Sequence, residues 1–193
     1  GTGKTAAFAI PILDMLQQRK RDNPFSHIQC VVMAPTHELA LQITEVFVQL
    51  GKNTRIKALG LIGGVDQDPQ IEALEKGIDI LVATPGRLFG RRSQGHIKLD
   101  EVDILVLDEA DHMLALGFIK DIQDLTRYLP RDRQTLFFSA TIDAGIKKIA
   151  YSLVRNPIRI QISPKDPVAK NIDHSVAFIT MDDKRFFLEQ MVR

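Results

Sequence analysis

The chain has 193 residues, with 25 Lys and Arg against 24 Asp and Glu, and 45% of its residues are apolar. This composition is typical of a soluble globular protein and excludes disordered, collagen-like and coiled-coil chains. A net charge of +1 provides no overall positive field, so a nucleic-acid site would have to be a local patch. One cysteine, Cys30, excludes an internal disulfide and fits the reducing cytoplasm. No apolar run approaches the ~18 residues of a membrane span, and no signal peptide is visible.

Short apolar runs rich in β-branched residues alternate with longer segments of helical periodicity. Helices are predicted, in chain order, at 4–19, 37–50, 69–75, 118–128, 144–154 and 184–192. Strands are predicted at 28–34, 56–62, 78–83, 104–107, 135–139, 158–162 and 175–179. Continuous apolar runs are typical of strands covered on both faces, so we expect an α/β fold with a mostly parallel sheet and helices on both faces. Pro11 predicts a kink in the first helix.

The chain opens on the glycine-rich segment Gly1-Thr2-Gly3-Lys4-Thr5, directly before the first predicted helix. Glycines allow backbone amides to close around phosphate oxygens, and the helix N-terminus adds its positive dipole. In such a loop the lysine reaches the β- and γ-phosphates and the hydroxyl ligates Mg²⁺. Alone, the segment also fits a glycine-rich turn that caps a helix.

An apolar strand at 104–107 ends in the acidic segment Asp108-Glu109-Ala110-Asp111. Asp108 could hold Mg²⁺, which keeps much of its hydration shell, and Glu109 could orient or deprotonate an attacking water. The alternative is a loop whose acids are merely solvated. The glycine-rich loop on the same chain favours the metal- and water-binding role. Ser139 and Thr141 follow the next strand, where hydroxyls more often cap the following helix.

Three further segments follow predicted strands and offer backbone amides, hydroxyls and a cation for phosphate contacts. They are Pro35-Thr36-His37, Gly63-Gly64 and Thr84-Pro85-Gly86-Arg87. Taken singly, each also fits an ordinary turn, which is the commoner occurrence.

Taken together, the order and spacing of these six motifs resemble those of DEAD-box ATP-dependent RNA helicases. The resemblance covers residues 1–164 and implies the first RecA-like domain, a P-loop NTPase fold. The pair Gly117-Phe118 is most similar to bacterial members.

The resemblance implies ATP and Mg²⁺ as cofactors and sequence-independent RNA as partner. ATP phosphates would be bound by Gly1, Thr2, Gly3, Lys4 and Thr5. Catalysis would fall to Lys4, Asp108 and Glu109, and metal binding to Thr5 and Asp108. Coupling between the ATP and RNA sites would fall to Asp111, Ser139 and Thr141. RNA would contact Pro35, Thr36, His37, Gly63, Gly64, Thr84, Pro85, Gly86 and Arg87.

Two histidines depart from the family pattern, which usually has Arg at both positions. The side chain of His37 is shorter than that of arginine, and an unperturbed imidazole is mostly neutral at pH 7. RNA binding there is therefore expected to be weaker and pH-sensitive. The alternative is that His37 merely begins a helix. His112 lies beside the acids, and the sequence does not decide its effect.

We expect a RecA-like domain at 1–164, a linker at 165–172 and the start of a second RecA-like domain at 173–193. By the resemblance, an upstream strand and adenine-binding segment precede Gly1, and an arginine finger lies in the second domain. The chain alone is therefore expected to hydrolyse ATP negligibly and to be less stable than its composition implies. Two alternatives stay open, namely a non-catalytic RNA-binding module and a DNA helicase domain of a related superfamily.

Overall fold

A computed structural model describes residues 3–22, 27–61, 63, 68–95, 97–162 and 176–192. The chain divides into two compact units, Gly1–Pro157 and Ile158–Arg193. The predicted linker at 165–172 lies outside the described residues, so the predicted division into domains stays a prediction.

A parallel sheet of five short strands forms the centre of the first unit. In chain order the strands are β1 (Cys30–Met33), β2 (Ala58–Leu61), β3 (Ile80–Ala83), β4 (Ile104–Leu107) and β5 (Gln134–Phe137). The spatial order is β2-β3-β1-β4-β5, and every neighbouring pair is parallel. The expected α/β fold with a parallel sheet is confirmed.

Helices alternate with these strands along the chain. They are α1 (Lys4–Asp22), α2 (His37–Leu50), α3 (Asp68–Glu75), α4 (Pro85–Ser93), α5 (Ala110–Ala115), α6 (Ile119–Tyr128), α7 (Ala144–Leu153) and α8 (Lys184–Val192). The last of these belongs to the second unit.

Both faces of the sheet are covered, which explains the continuous apolar runs of its central strands. Side chains alternate along a strand, so Cys30 and Val32 face one layer while Val31 and Met33 face the other. The first layer is built mainly from α1 and α2. The second is built from α4, α5, α6 and α7. Every residue of β1, β3 and β4 is buried, as expected for strands of a sheet covered on both faces.

A buried ion pair fixes the far end of α1 to the amino edge of the sheet. Lys20 Nζ lies 2.7 and 2.8 Å from the two carboxylate oxygens of Asp79, which is only 1% exposed. The backbone amide of Lys57 donates to the same carboxylate at 2.7 Å. Asp79 therefore joins α1 to the starts of β2 and β3.

Several predicted elements differ from the structure. Residues 158–162 form no strand, because they pair with no neighbouring strand and Ile158, Ile160 and Ile162 are largely exposed. No strand forms at 176–179 either, and Ser175 lies outside the described residues. Helices α4 and α5 were not predicted. Helix α1 includes Pro11, which lies on its exposed side, where losing a single amide donor is tolerated, and the kink expected there stays a prediction.

Candidate active site

The predicted functional residues in the described part of the chain lie at one edge of the sheet or at the start of α1. Parallel strands bring their carboxyl ends to the same edge, where ligands of α/β proteins bind. The segments that follow β4 and β5 form, with the start of α1, what we call the acidic half. The segments that follow β1, β2 and β3 form the cavity half.

The start of α1 has the backbone geometry of an anion site. Gly3 has φ +73°, which a glycine adopts without steric cost, and its carbonyl accepts the amide of Ala7 at 3.0 Å. Lys4 and Thr5 form the first turn of a 19-residue helix, where free amides and the helix dipole favour an anion. Gly1 and Thr2 lie outside the described residues.

Asp108 is a buried carboxylate, with 3% of the residue exposed. Its backbone amide donates to the carbonyl of Met33 at 3.0 Å, which continues the β1–β4 ladder by one residue. Burial raises the pKa of Asp108, while the amide of Glu109, at 3.0 Å from Oδ1, and the nearby positive charge of Lys4 offset part of that rise. A buried carboxylate has lost much of its hydration, and a bound cation would stabilise its negative charge.

Glu109 adopts a left-handed backbone conformation, with φ 49° and ψ 50°. This conformation costs a non-glycine residue about 1–2 kcal/mol, and such residues cluster at functional sites. Glu109 is the N-cap of α5, two residues after the end of β4, and its side chain is partly exposed. His112, one helical turn on, has Nδ1 3.5 Å from Glu109 Oε2.

The donor set in the acidic half fits Mg²⁺. Asp108 supplies a carboxylate and Thr5 a hydroxyl, and both are the hard oxygen ligands that Mg²⁺ prefers. Mg²⁺ commonly uses one or two protein ligands and completes its shell with water and phosphate oxygens. In the described residues, no group of three or more His, Cys, Asp or Glu side chains could hold a metal by itself.

Asp111 and Thr141 join the two segments of the acidic half. The amide and hydroxyl of Thr141 donate to Asp111 Oδ2 at 3.0 and 2.8 Å. Burial opposes ionisation of Asp111, but these bonds and the amide of His112 outweigh it and lower its pKa. The Ser139 hydroxyl donates to the carbonyl of Thr141 at 2.5 Å.

The sequence favoured helix capping as the role of the hydroxyls that follow β5. In the structure they do not cap the next helix. The N-cap of α7 is Asp143, whose carboxylate accepts the amide of Ile146 at 2.7 Å. The Ser139 and Thr141 hydroxyls instead bond within the acidic half. The ring of Phe138, just before Ser139, packs at a tilt of 44° against Phe8 of α1, with 5.4 Å between ring centroids, so this segment contacts α1.

A cavity of about 510 Å³ opens in the cavity half. Its walls come from the β1–α2 and β3–α4 connections and from Phe118. Two helices begin at this cavity, α2 at His37 and α4 at Pro85, so two positive dipole ends meet there. The Thr36 hydroxyl accepts the amide of Leu39 at 3.2 Å, and its own proton remains available to a ligand.

Gly63, His37 and Arg87 converge at one point in the cavity half. A Cβ on Gly63 would lie 2.7 Å from His37 Cε1 and 2.6 Å from Arg87 Nη2. Because Gly63 has no side chain, the ends of His37 and Arg87 can both pack against it. Gly64 lies outside the described residues.

Phe118 lines the same cavity but was not among the predicted site residues. Its ring also packs against the hydrophobic layer formed by α4 to α7. Gly117, with φ +84°, turns the chain directly before it. The sequence signal that could have identified Phe118 is the pair Gly117-Phe118, which resembles bacterial members of the family.

The acidic and cavity halves meet where the strand order changes direction. From β1 the chain moves to β2 and β3 on one side and to β4 and β5 on the other. Connections that diverge from neighbouring strands leave a crevice at the carboxyl edge. The acidic half and the cavity half therefore lie side by side at this edge of the sheet. In the described part of the chain, no helix is long and apolar enough to span a membrane.

Comparison with known proteins places this architecture among helicases. A family model described as DEAD/DEAH box helicase matches residues 1–149. The chain is 43% identical over 173 residues to the DEAD-box ATP-dependent RNA helicase CshA of Bacillus subtilis, covering 89% of this chain and 34% of that protein. It is 39% identical to the ATP-dependent RNA helicase RhlB of Pseudomonas putida, covering 100% of this chain and 50% of that protein.

Solved structures with the same architecture include a DEAD box protein from the hyperthermophile Methanococcus jannaschii. Its TM-score is 0.72 at 36% identity, over 81% of this chain and 41% of that one. A hypothetical ATP-dependent RNA helicase from Sulfolobus tokodaii gives a TM-score of 0.70 at 36% identity, over 81% of this chain and 44% of that one. The chain thus spans from about a third to half of the length of these relatives.

Proposed function

Because this chain belongs to the DEAD/DEAH box helicase family, we propose that its acidic half binds ATP and its cavity half binds RNA. ATP hydrolysis would be coupled to local opening of an RNA duplex. The single observation that supports this division is the strand order, which puts the two halves side by side at one sheet edge.

In the proposed acidic half, the first turn of α1 binds the ATP phosphates through backbone amides and the ammonium group of Lys4. Thr5 and Asp108 would hold Mg²⁺, which supplies charge neutralisation at the phosphates when it is bound. Lys4 lies close enough to Asp108 to act on its pKa, so the phosphate-binding cation and the candidate metal ligand share one small region. Phosphoryl transfer depends chiefly on such positioning and charge neutralisation.

Glu109 is the residue that we propose to orient the attacking water and to accept its proton. Its side chain is partly exposed, whereas Asp108 is buried. A partly exposed carboxylate next to a buried one allows the two acids to serve different roles. The division of roles resembles that found where two neighbouring carboxylates have unlike surroundings.

In the proposed cavity half, RNA is held by its backbone rather than by its bases. The helix N-termini of α2 and α4, the hydroxyls of Thr36 and Thr84, and the guanidinium of Arg87 suit phosphate oxygens. Phosphate contacts position a nucleic acid without reading its sequence. A chain with a net charge of +1 therefore needs only this local set of donors.

Coupling between the halves is proposed to run through Asp111, Ser139 and Thr141. These residues connect the segments after β4 and β5 by hydrogen bonds, so a shift of one segment strains the other. A second RecA-like domain and a cytoplasmic location, both expected from the sequence, belong to the same proposal.

The proposal is tested by an unwinding assay with a short RNA duplex and the full-length protein. Unwinding is expected to require ATP and Mg²⁺ and to be lost in Lys4→Ala. Lys76→Ala, at an exposed residue directly after α3, is the matched control and should unwind normally. Unwinding that persists without ATP, or in Lys4→Ala, would contradict the proposal.

A further inference from the structure

We propose that His37 and Arg87 form a phosphate clamp in which His37 becomes protonated when RNA binds. RNA binding at the cavity half would then be coupled to uptake of one proton from solvent. This inference rests on the proposed RNA-binding function and adds to it a regulation by pH.

The first observation is the convergence of the two side chains. His37 Cε1 and the Nε and Nη2 atoms of Arg87 all lie within 2.8 Å of the position that a Cβ on Gly63 would take. Cε1 is bonded to both ring nitrogens, so the polar end of the imidazole lies close to the guanidinium. Both side chains also line the cavity of about 510 Å³.

The second observation is the charge around this point. Among the described residues that line the cavity, His37 on α2 and Arg87 on α4 carry the titratable or charged side chains. Glu38 follows His37 on the same helix, and Gly63 and Phe118 bring no charge. The N-termini of α2 and α4 add two positive dipole ends.

Without a ligand, a protonated His37 would be a second cation beside Arg87 and two helix N-termini. That arrangement is unfavourable, because like charges oppose each other. A phosphodiester anion between the two side chains reverses the balance, since it attracts both cations and accepts a hydrogen bond from each. The proton goes from solvent onto the imidazole, and the phosphodiester remains an anion.

Histidine suits this behaviour because its unperturbed pKa lies near 6.5. An arginine at the same position would be charged with or without RNA, and its binding would not take up a proton. The histidine therefore makes RNA binding at this face tighter at mildly acidic pH. It also makes the free cavity less positive at neutral pH.

The test measures RNA affinity and proton uptake with the full-length protein. A single-stranded RNA with hydroxyl ends is used, because a terminal phosphomonoester would itself titrate at about pH 6. The dissociation constant is measured by fluorescence anisotropy between about pH 5.5 and about pH 8, where carboxylates and phosphodiesters stay ionised. Calorimetry in buffers of different ionisation enthalpy counts the protons taken up.

Wild-type protein is expected to bind RNA about five- to tenfold more tightly at the acidic end of this range and to take up a proton. His37→Arg should bind well at both ends of the range with no proton uptake. His37→Gln should bind weakly throughout and lose the pH dependence. His27→Gln, a histidine that pairs with Glu101 at the opposite edge of the sheet, is the matched control and should behave like wild type.

Gly63→Ala provides a second variant that does not alter either ionisable group. Its methyl group would displace the ends of His37 and Arg87, and flexible side-chain ends can move without unfolding the chain. The variant should keep its thermal stability and lose most of the pH dependence. RNA binding with equal pH dependence in wild type and His37→Gln would overturn the clamp and leave the proposed function standing. Absence of RNA binding at every pH would overturn both.

Discussion

The backbone amide and the hydroxyl of Thr141 both donate to one carboxylate oxygen of Asp111, at 3.0 and 2.8 Å. These residues are 30 positions apart in the chain and follow the neighbouring strands β4 and β5. This two-donor contact adds to the backbone hydrogen bond from the Ala110 amide to the Phe138 carbonyl, at 3.0 Å, in holding the two segments together. Within our proposal, it is the connection through which the state of the ATP site reaches the RNA site.

Replacing Thr141 by Val removes the hydroxyl donor and keeps the side-chain shape and the backbone donor. ATP hydrolysis by the full-length protein should be nearly unchanged, whereas RNA unwinding should fall about tenfold or more, because coupling energies are commonly of that size. ATPase and unwinding rates measured on the same preparation check this prediction.

Thr126→Val is the control for that substitution. Thr126 is a half-buried residue of α6 whose hydroxyl donates to the carbonyl of Gln123 at 2.7 Å. It should unwind RNA like wild type. Equal losses of ATPase and unwinding in Thr141→Val would argue against a coupling role and for a simple structural one.

Glu109 carries backbone strain that a glycine would relieve. Glu109→Gly is expected to raise the free energy of unfolding by up to about 1 kcal/mol, because φ 49° costs a glycine little. Glu109→Ala keeps the strain and should not stabilise the chain. Chemical denaturation compares the free energies of unfolding of the two variants. A Gly variant no more stable than the Ala variant would contradict the presence of backbone strain at Glu109.

The pH dependence of stability should differ in sign between Asp108 and Asp111. Burial raises the pKa of Asp108 in the folded state, so its ionisation costs stability above the raised pKa and costs nothing well below the unfolded value of 3.8. Hydrogen bonds outweigh burial at Asp111 and lower its pKa, so it contributes stability above 3.8 that is lost as the pH falls through the lowered value.

Asp→Asn substitutions at the two positions test this difference in the absence of nucleotide and Mg²⁺. Asp108→Asn should be more stable than wild type at neutral pH, and Asp111→Asn should be less stable. The Asp108 difference should fade as the pH falls from the raised pKa of Asp108 towards 3.8, whereas the Asp111 difference should persist at pH 3.8 and fade only at lower pH. Denaturation curves at several pH values would contradict the assignment if both substitutions changed stability in the same direction.

Removal of Asp79 is expected to destabilise the fold strongly. Asp79→Ala takes away a carboxylate that is 1% exposed and that accepts both Lys20 Nζ and the Lys57 amide. Breaking a buried ion pair from one side typically costs about 3–5 kcal/mol. Thermal or chemical denaturation measures the loss, and Asp14→Ala, on the exposed side of α1, should cost far less.

The sequence predicted some elements closely because their signals were local. The bounds of α2 and β4 agree with the prediction, since helical periodicity after Thr36 and four consecutive apolar residues before Asp108 mark them. Helix α4 was missed because Pro85, Gly86 and Gly90 suggest turns. Proline is in fact favourable in the first turn of a helix, and buried Leu88 supplies the packing that the two glycines do not.

The candidate site was predicted motif by motif, but its division into two halves was not. That division depends on the strand order, which sets β3 between β1 and β2 and puts β4 on the other side of β1. The contact of His37 and Arg87 at Gly63 follows from this order, because three separate connections must meet. The spacing of these residues along the chain does not show that their side chains converge.

The central claim is that this chain couples ATP hydrolysis to RNA. Its most direct test is the ATPase rate of the full-length protein with no nucleic acid, with single-stranded RNA and with single-stranded DNA of the same sequence. We expect RNA to stimulate hydrolysis well above DNA, and Glu109→Gln to lower the stimulated rate about 100-fold or more while ATP still binds. Glu45→Gln, on the exposed face of α2, should hydrolyse ATP like wild type. Equal stimulation by RNA and DNA, or a Glu109→Gln variant that retains the wild-type rate, would contradict the account.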